Sequence, residues 1–139
     1  MQTVQPSGLL KSILLIDAAA SGAMAAGHLL WPGMLGTTLA LPGALLSGTG
    51  LFLAGYVLLL VGLARSRAVW RALVLFVIAG NVGWAVLSVA LLAGGVLVPT
   101  GLGAAYVLAQ AAGVLGFAAL QYRGLGRSAP VAGRGAALA

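Results

Sequence analysis

Asp17 is the only acidic side chain in the sequence, and it stands inside an apolar run, Leu14-Leu15-Ile16-Asp17-Ala18-Ala19-Ala20-Ser21-Gly22. The run continues long enough to cross a bilayer. A carboxyl group at the centre of an inserted helix costs roughly 2.5–3.5 kcal/mol unless it is neutralised or partnered. Something must therefore answer it. Either neighbouring helices supply hydrogen-bond donors, or a proton or cation comes and goes.

Other polar residues fall where they could do either. Asp17, Ser21, Met24 and His28 step by four, three and four, so they share one face of a helix. Asn81, Trp84 and Ser88 do the same further on, as do Gln110, Val114, Phe117 and Gln121. Depth follows by counting from the nearest basic anchor at about 1.5 Å per residue. Asp17 is then about 9 Å from the level of Lys11, Tyr56 about 14 Å from Arg65, Asn81 about 15 Å from Arg71 and Gln110 about 20 Å from Arg123. Polar groups at such depths face one another rather than lipid. The expected intramembrane cluster is Asp17, Ser21, Tyr56, Asn81, Trp84 and Gln110, with Asn81 the first partner of Asp17 and Gln110 and Tyr56 next. His28, near the far end of its span, reads as an interfacial polar residue. Trp84, in mid-span, reads as core with its N–H bonded to a helix partner.

The chemistry open to these groups is narrow. Without cysteine there is no disulfide, thiolate ligand or thiol nucleophile. One Asp and one His give no acceptable metal-ligand set. Asp17, Ser21 and His28 have the types of a hydrolytic triad, but Asp17 and His28 lie about 16 Å apart along one helix, too far to work together. Neither enzyme activity nor a cofactor is expected. Two roles remain for Asp17: a structural role in which the cluster specifies which helices meet, and a coupling role in which Asp17 exchanges a proton or cation.

The elements that must position these residues are membrane spans. Hydrophobic residues make up 62% of the 139 residues and charged residues 6%, whereas soluble domains carry about a quarter charged residues. The expected fold is an all-α, four-helix transmembrane bundle over 1–123, with spans near 9–30, 42–64, 70–92 and 100–122, followed by a disordered tail over 124–139. Ser7 suits a helix N-cap. Span one is not expected to be a cleaved signal, because Asp17 interrupts its apolar core. Trp31-Pro32-Gly33 ends that span, and the uncharged connection to Leu41 suits the interface. Gly48, Gly55 and Gly62, seven apart, give span two a small-residue face that is expected to pack on a neighbouring helix.

The net charge of +6 does not point to nucleic acid. Lys11, Arg65, Arg67, Arg71, Arg123, Arg127 and Arg134 all lie at or beyond the ends of apolar runs. They occupy the N-terminus, the second connection and the C-terminus, while the first and third connections have none. The positive-inside rule then places both termini in the cytoplasm. The lipid bilayer is the expected partner, with a second copy of the chain or another membrane protein beside it.

Leu14-Leu15-Ile16-Asp17-Ala18 with Ser21-Gly22, then Asn81, Trp84 and Ser88, then Pro99-Thr100, Gly103, Gln110-Ala111 and Leu120-Gln121-Tyr122, resemble a group of small four-span bacterial inner-membrane proteins of unassigned activity. The resemblance covers most of 9–123 and implies a fold and an address only. The architecture is also similar to that of the small multidrug resistance transporters, four-span chains with one essential carboxylate in the first span. This sequence departs from them in having Asp instead of Glu, in lacking aromatic-rich walls and in its strong charge bias. Two functions are therefore expected to compete. One is helix–helix association as a subunit or homo-oligomer. The other is proton-coupled carriage of a small or cationic solute, with Asp17 as the coupling site.

Overall fold

The computed structural model describes residues 2–131. In chain order these form β1 (Thr3–Gln5), α1 (Gly8–Leu30), α2 (Pro32–Leu39), α3 (Gly43–Arg65), β2 (Val69–Trp70), α4 (Arg71–Ala93), α5 (Gly101–Gly126) and β3 (Ala129–Pro130). Helices α1, α3, α4 and α5 have 23 or 26 residues and are apolar enough to cross a membrane. At about 1.5 Å per residue each exceeds the roughly 30 Å of a bilayer's hydrocarbon core. The chain is thus a multi-pass membrane protein.

The three short strands form one sheet in the order β2-β1-β3, both pairings antiparallel. The sheet gathers the start of α1, the α3–α4 connection and the end of α5, so successive long helices alternate in direction. Its buried Val4 and Val69 join Leu10, Leu60, Val74 and Leu125 in the main apolar core. This is the terminal end of the molecule, and every Lys and Arg among the described residues lies at or near it. The segment expected to be a disordered tail is ordered at its beginning. Helix α5 runs on to Gly126, and Ala129–Pro130 pairs with β1, because β1 offers an otherwise open edge to hydrogen-bond. Residues 132–139 lie outside the described ones.

Two hydroxyl caps fasten the ends. Ser7 Oγ accepts from Leu10 N–H at the start of α1 and donates to the Gly124 carbonyl, 2.7 Å away on α5. Thr100 Oγ1 accepts from Gly103 N–H at the start of α5 and donates to the Thr38 carbonyl of α2. Each cap satisfies an orphan amide of its own helix and ties that helix to another element.

Helices α3, α1, α5 and α4 pack side by side in that order, and α3 does not pack backbone to backbone on α4. The four spans therefore leave one side open. Glycines decide the close approaches. A Cβ at Gly124 would lie 2.8 Å from Leu10 Cα, one at Gly50 would lie 3.0 Å from His28 Cβ, and one at Gly103 would overlap the Leu39 carbonyl. Gly48, Gly55 and Gly62 are different. They are exposed, and a Cβ at any of them would meet nothing within 4 Å. The expected neighbour for this face is not found within the chain, because α1 packs on the Gly50 face of α3 instead.

Gly124→Ala should destabilise the protein by about 1–3 kcal/mol, since the α1 and α5 backbones must separate. Gly116→Ala, where nothing lies within 4 Å, should leave stability unchanged or slightly raised. Thermal unfolding in lipid nanodiscs, followed by circular dichroism, measures both.

Candidate functional site

Asp17 is completely buried, 0% exposed, and takes one partner from each long helix. Ser21 Oγ, one turn on in α1, donates to Oδ1 at 3.1 Å. Tyr56 Oη of α3 lies 3.1 Å from Oδ2, Asn81 Nδ2 of α4 donates to Oδ2 at 3.2 Å, and Gln121 Nε2 of α5 donates to it at 2.7 Å. The partners also bond one another. Tyr56 Oη is 3.0 Å from Asn81 Oδ1, and Asn81 Nδ2 donates to Gln121 Oε1 at 3.3 Å.

The protons can be counted. Six contacts link these five side chains. With Asp17 ionised, the Tyr56 hydroxyl has one hydrogen for two oxygen neighbours, so one of its two contacts lacks a proton. A proton on Asp17 Oδ2 fills the gap: Oδ2–H donates to Tyr56 Oη, and Tyr56 O–H donates to Asn81 Oδ1.

The structure brings together four of the six expected residues, Asp17, Ser21, Tyr56 and Asn81. Gln110 does not join them; Gln121 does. The reason is level. Gly124 sits against Leu10, which puts Gln121 about 4 Å and Asp17 about 10 Å above that contact along antiparallel helices. Side chains lean toward the N-terminus of their own helix. Asp17 therefore leans down toward the terminal end while Gln121 leans up, and they meet. Gln110 shares the face of Gln121 but lies three turns higher. Trp84 is also outside the cluster. Its indole stacks on Phe52 of α3, with ring centroids 6.0 Å apart and planes 7° from parallel, and Phe52 stacks in turn on Tyr56. Its N–H finds no helix partner among the described residues.

A second polar group lies eleven residues beyond Asp17 on the same face of α1. His28 is buried among the helices, 3% exposed. Thr49 Oγ1 of α3 donates to the Leu46 carbonyl, so it is free to accept from His28 Nδ1–H at 2.9 Å. That tautomer leaves Nε2 to accept from the Tyr106 hydroxyl of α5 at 2.8 Å. Thr49 and Tyr106 carried no sequence signal beyond being polar groups within spans. For Gln121 the signal was its place on the Gln110 stripe.

On the open α3–α4 side lie two cavities, of about 450 Å³ toward the terminal end and about 150 Å³ toward the far end. Ser21, Tyr56 and Asn81 reach the wall of the larger and His28 and Tyr106 that of the smaller, while Trp84 and Gln110 line both. Asp17 lines neither, because its partners stand between it and the space. No protein-family model, curated protein or solved structure matches the chain.

In membranes such side-chain bonds contribute about 0.6 kcal/mol each. Asp17→Ala, which deletes the acceptor of four of them, should cost roughly 2 kcal/mol. Asp17→Asn should cost about half as much, because the amide can turn its oxygen to the three donors at Oδ2 and give its NH2 to Ser21. Equilibrium unfolding of both variants in bicelles checks the order.

Proposed function

We propose that the chain is a multi-pass protein of a bacterial inner membrane, both termini in the cytoplasm, that acts through helix–helix association as a homo-oligomer or as a small subunit of a membrane assembly. The observation that carries this reading is the line Gly48, Gly55 and Gly62 on α3, exposed, with open space over each. Without a hydrophobic force between helices in lipid, close backbone approach over small residues is a main source of association. The enclosure of Asp17 supports the same reading, since a carboxyl group with all its contacts inside one chain serves to hold helices in register. The gathering of basic residues at the terminal end supports a single orientation in the bilayer. Copies that share one orientation pair about an axis along the membrane normal, α3 against α3.

Leu51 and Leu58 lie between these glycines on the same face and are 68% and 75% exposed. In this cysteine-free chain, Leu58→Cys should give a disulfide-linked dimer on mild oxidation of native membranes. Leu102→Cys on α5 should not, and Gly62→Ile should suppress the Leu58→Cys dimer several-fold. Monomer alone from Leu51→Cys and Leu58→Cys would sink the homo-oligomer, and linkage to another protein would turn the reading to a subunit.

A second reading, a proton-coupled carrier of a small or cationic solute, is favoured by one observation. Tyr56 has one hydrogen for two oxygen neighbours, Asp17 and Asn81, and both Tyr56 and Asn81 border a cavity that shares Trp84 and Gln110 with the next. Asp17→Asn cannot titrate but keeps most of the bonds. In a transport or toxicity-tolerance assay, full activity of that variant would end the coupling role, and loss of activity with stability retained would support it.

A further inference from the structure

The larger cavity has properties that neither role of Asp17 explains. It opens sideways between α3 and α4, where Gly55 and Gly80 stand at its wall with nothing within 4 Å of either Cβ position. At about 450 Å³ it has the size of a small-molecule site and is too small for a helix. No ionised side chain lines it. One wall is the flat stack of Phe52 and Trp84. Two of its lining residues, Trp84 and Gln110, have side-chain N–H groups that form no hydrogen bond among the described residues, although every fully buried side-chain polar atom is partnered. In a span, lone donors at such positions cost free energy that a water, a lipid group or a ligand must recover.

We propose that this cavity binds a neutral, lipid-soluble molecule carrying a carbonyl oxygen, which enters from the bilayer between α3 and α4 and accepts hydrogen bonds from Trp84 Nε1–H and the Gln110 amide. Each feature selects part of that description. Donors without a charge favour an accepting oxygen over a cation. The apolar wall and lateral mouth favour a solute already dissolved in lipid. The aromatic stack offers a flat ring a face to lie on. Its proposed hydrogen-bonding groups belong to α4 and α5, while Leu51 and Gly55 of α3 complete the lining.

The test uses the full chain in lipid nanodiscs, with Trp31→Phe and Trp70→Phe leaving Trp84 as the single tryptophan. The probe is 2-decyl-1,4-benzoquinone. The expected result is a saturable quench of Trp84 on top of the linear quench of a membrane-dissolved tryptophan octyl ester. Gln110→Leu should weaken half-saturation about tenfold, the worth of one good hydrogen bond. Gly80→Leu, which fills the mouth from α4 and removes no polar group, should abolish the saturable part while leaving thermal stability as in the parent. The proposal is overturned by a purely linear quench, by equal affinity in Gln110→Leu and Gly80→Leu, by displacement of the quinone with decane at the same mole fraction, or by tighter binding of decyltrimethylammonium than of the quinone.

Discussion

A carboxyl group brings up to four lone-pair sites into the span, and hydrocarbon offers them nothing. Every one that is met must be met by the protein itself. Here the donors come from Ser21 on the same helix and from Tyr56, Asn81 and Gln121 on the other three. That single requirement ties together helices that have little else in common at this level. Helix α3 meets α4 through side chains, among them the Tyr56–Asn81 bond and the Phe52–Trp84 stack, with Leu60 and Val74 in the shared apolar core toward the terminal end. The bond is directed, so it specifies rotation and height as well as proximity, which apolar contacts between leucines do poorly.

The same helices carry a second polar level around His28, three turns from the first on α1, where Thr49 of α3 and Tyr106 of α5 meet it. Between them stand Trp84 and Gln110, on the walls of both cavities. The interior is thus two closed hydrogen-bonded groups separated by a less satisfied middle that opens toward lipid. The glycines divide in a corresponding way. Gly50, Gly103 and Gly124 sit under close contacts inside the chain, while Gly48, Gly55 and Gly62 face outward. A residue with no side chain serves both purposes, internal approach and external approach, and only the packing of its neighbours tells them apart.

Four spans, their limits to within a few residues, the Ser7 cap and the segregation of basic residues are all local properties of the chain: runs of apolar residues, breakers and charges. They were legible in the sequence because hydropathy and helix-breaking chemistry act over single segments. So was the burden placed on Asp17, since a lone acid in an apolar span must be answered wherever it goes. Asn81, Tyr56 and Ser21 could be named as its answer from depth and facing. Gln121 meets Asp17 and Gln110 does not, although the two share a face. Depth counted from the anchors puts Gln110 about 11 Å further in than Asp17, yet gives no measure of how far antiparallel side chains lean toward each other. The small sheet at the terminal end, the burial of His28 against Thr49 and Tyr106, and the open α3–α4 side depend on contacts between residues up to 121 apart in sequence, such as Ser7 with Ser128. The sequence by itself determined how many helices cross, where they end and which residue they must accommodate. Only the tertiary structure decided which helices touch and which glycines are spoken for, because relative height and rotation are set by the mutual fit of all four helices and by no one of them.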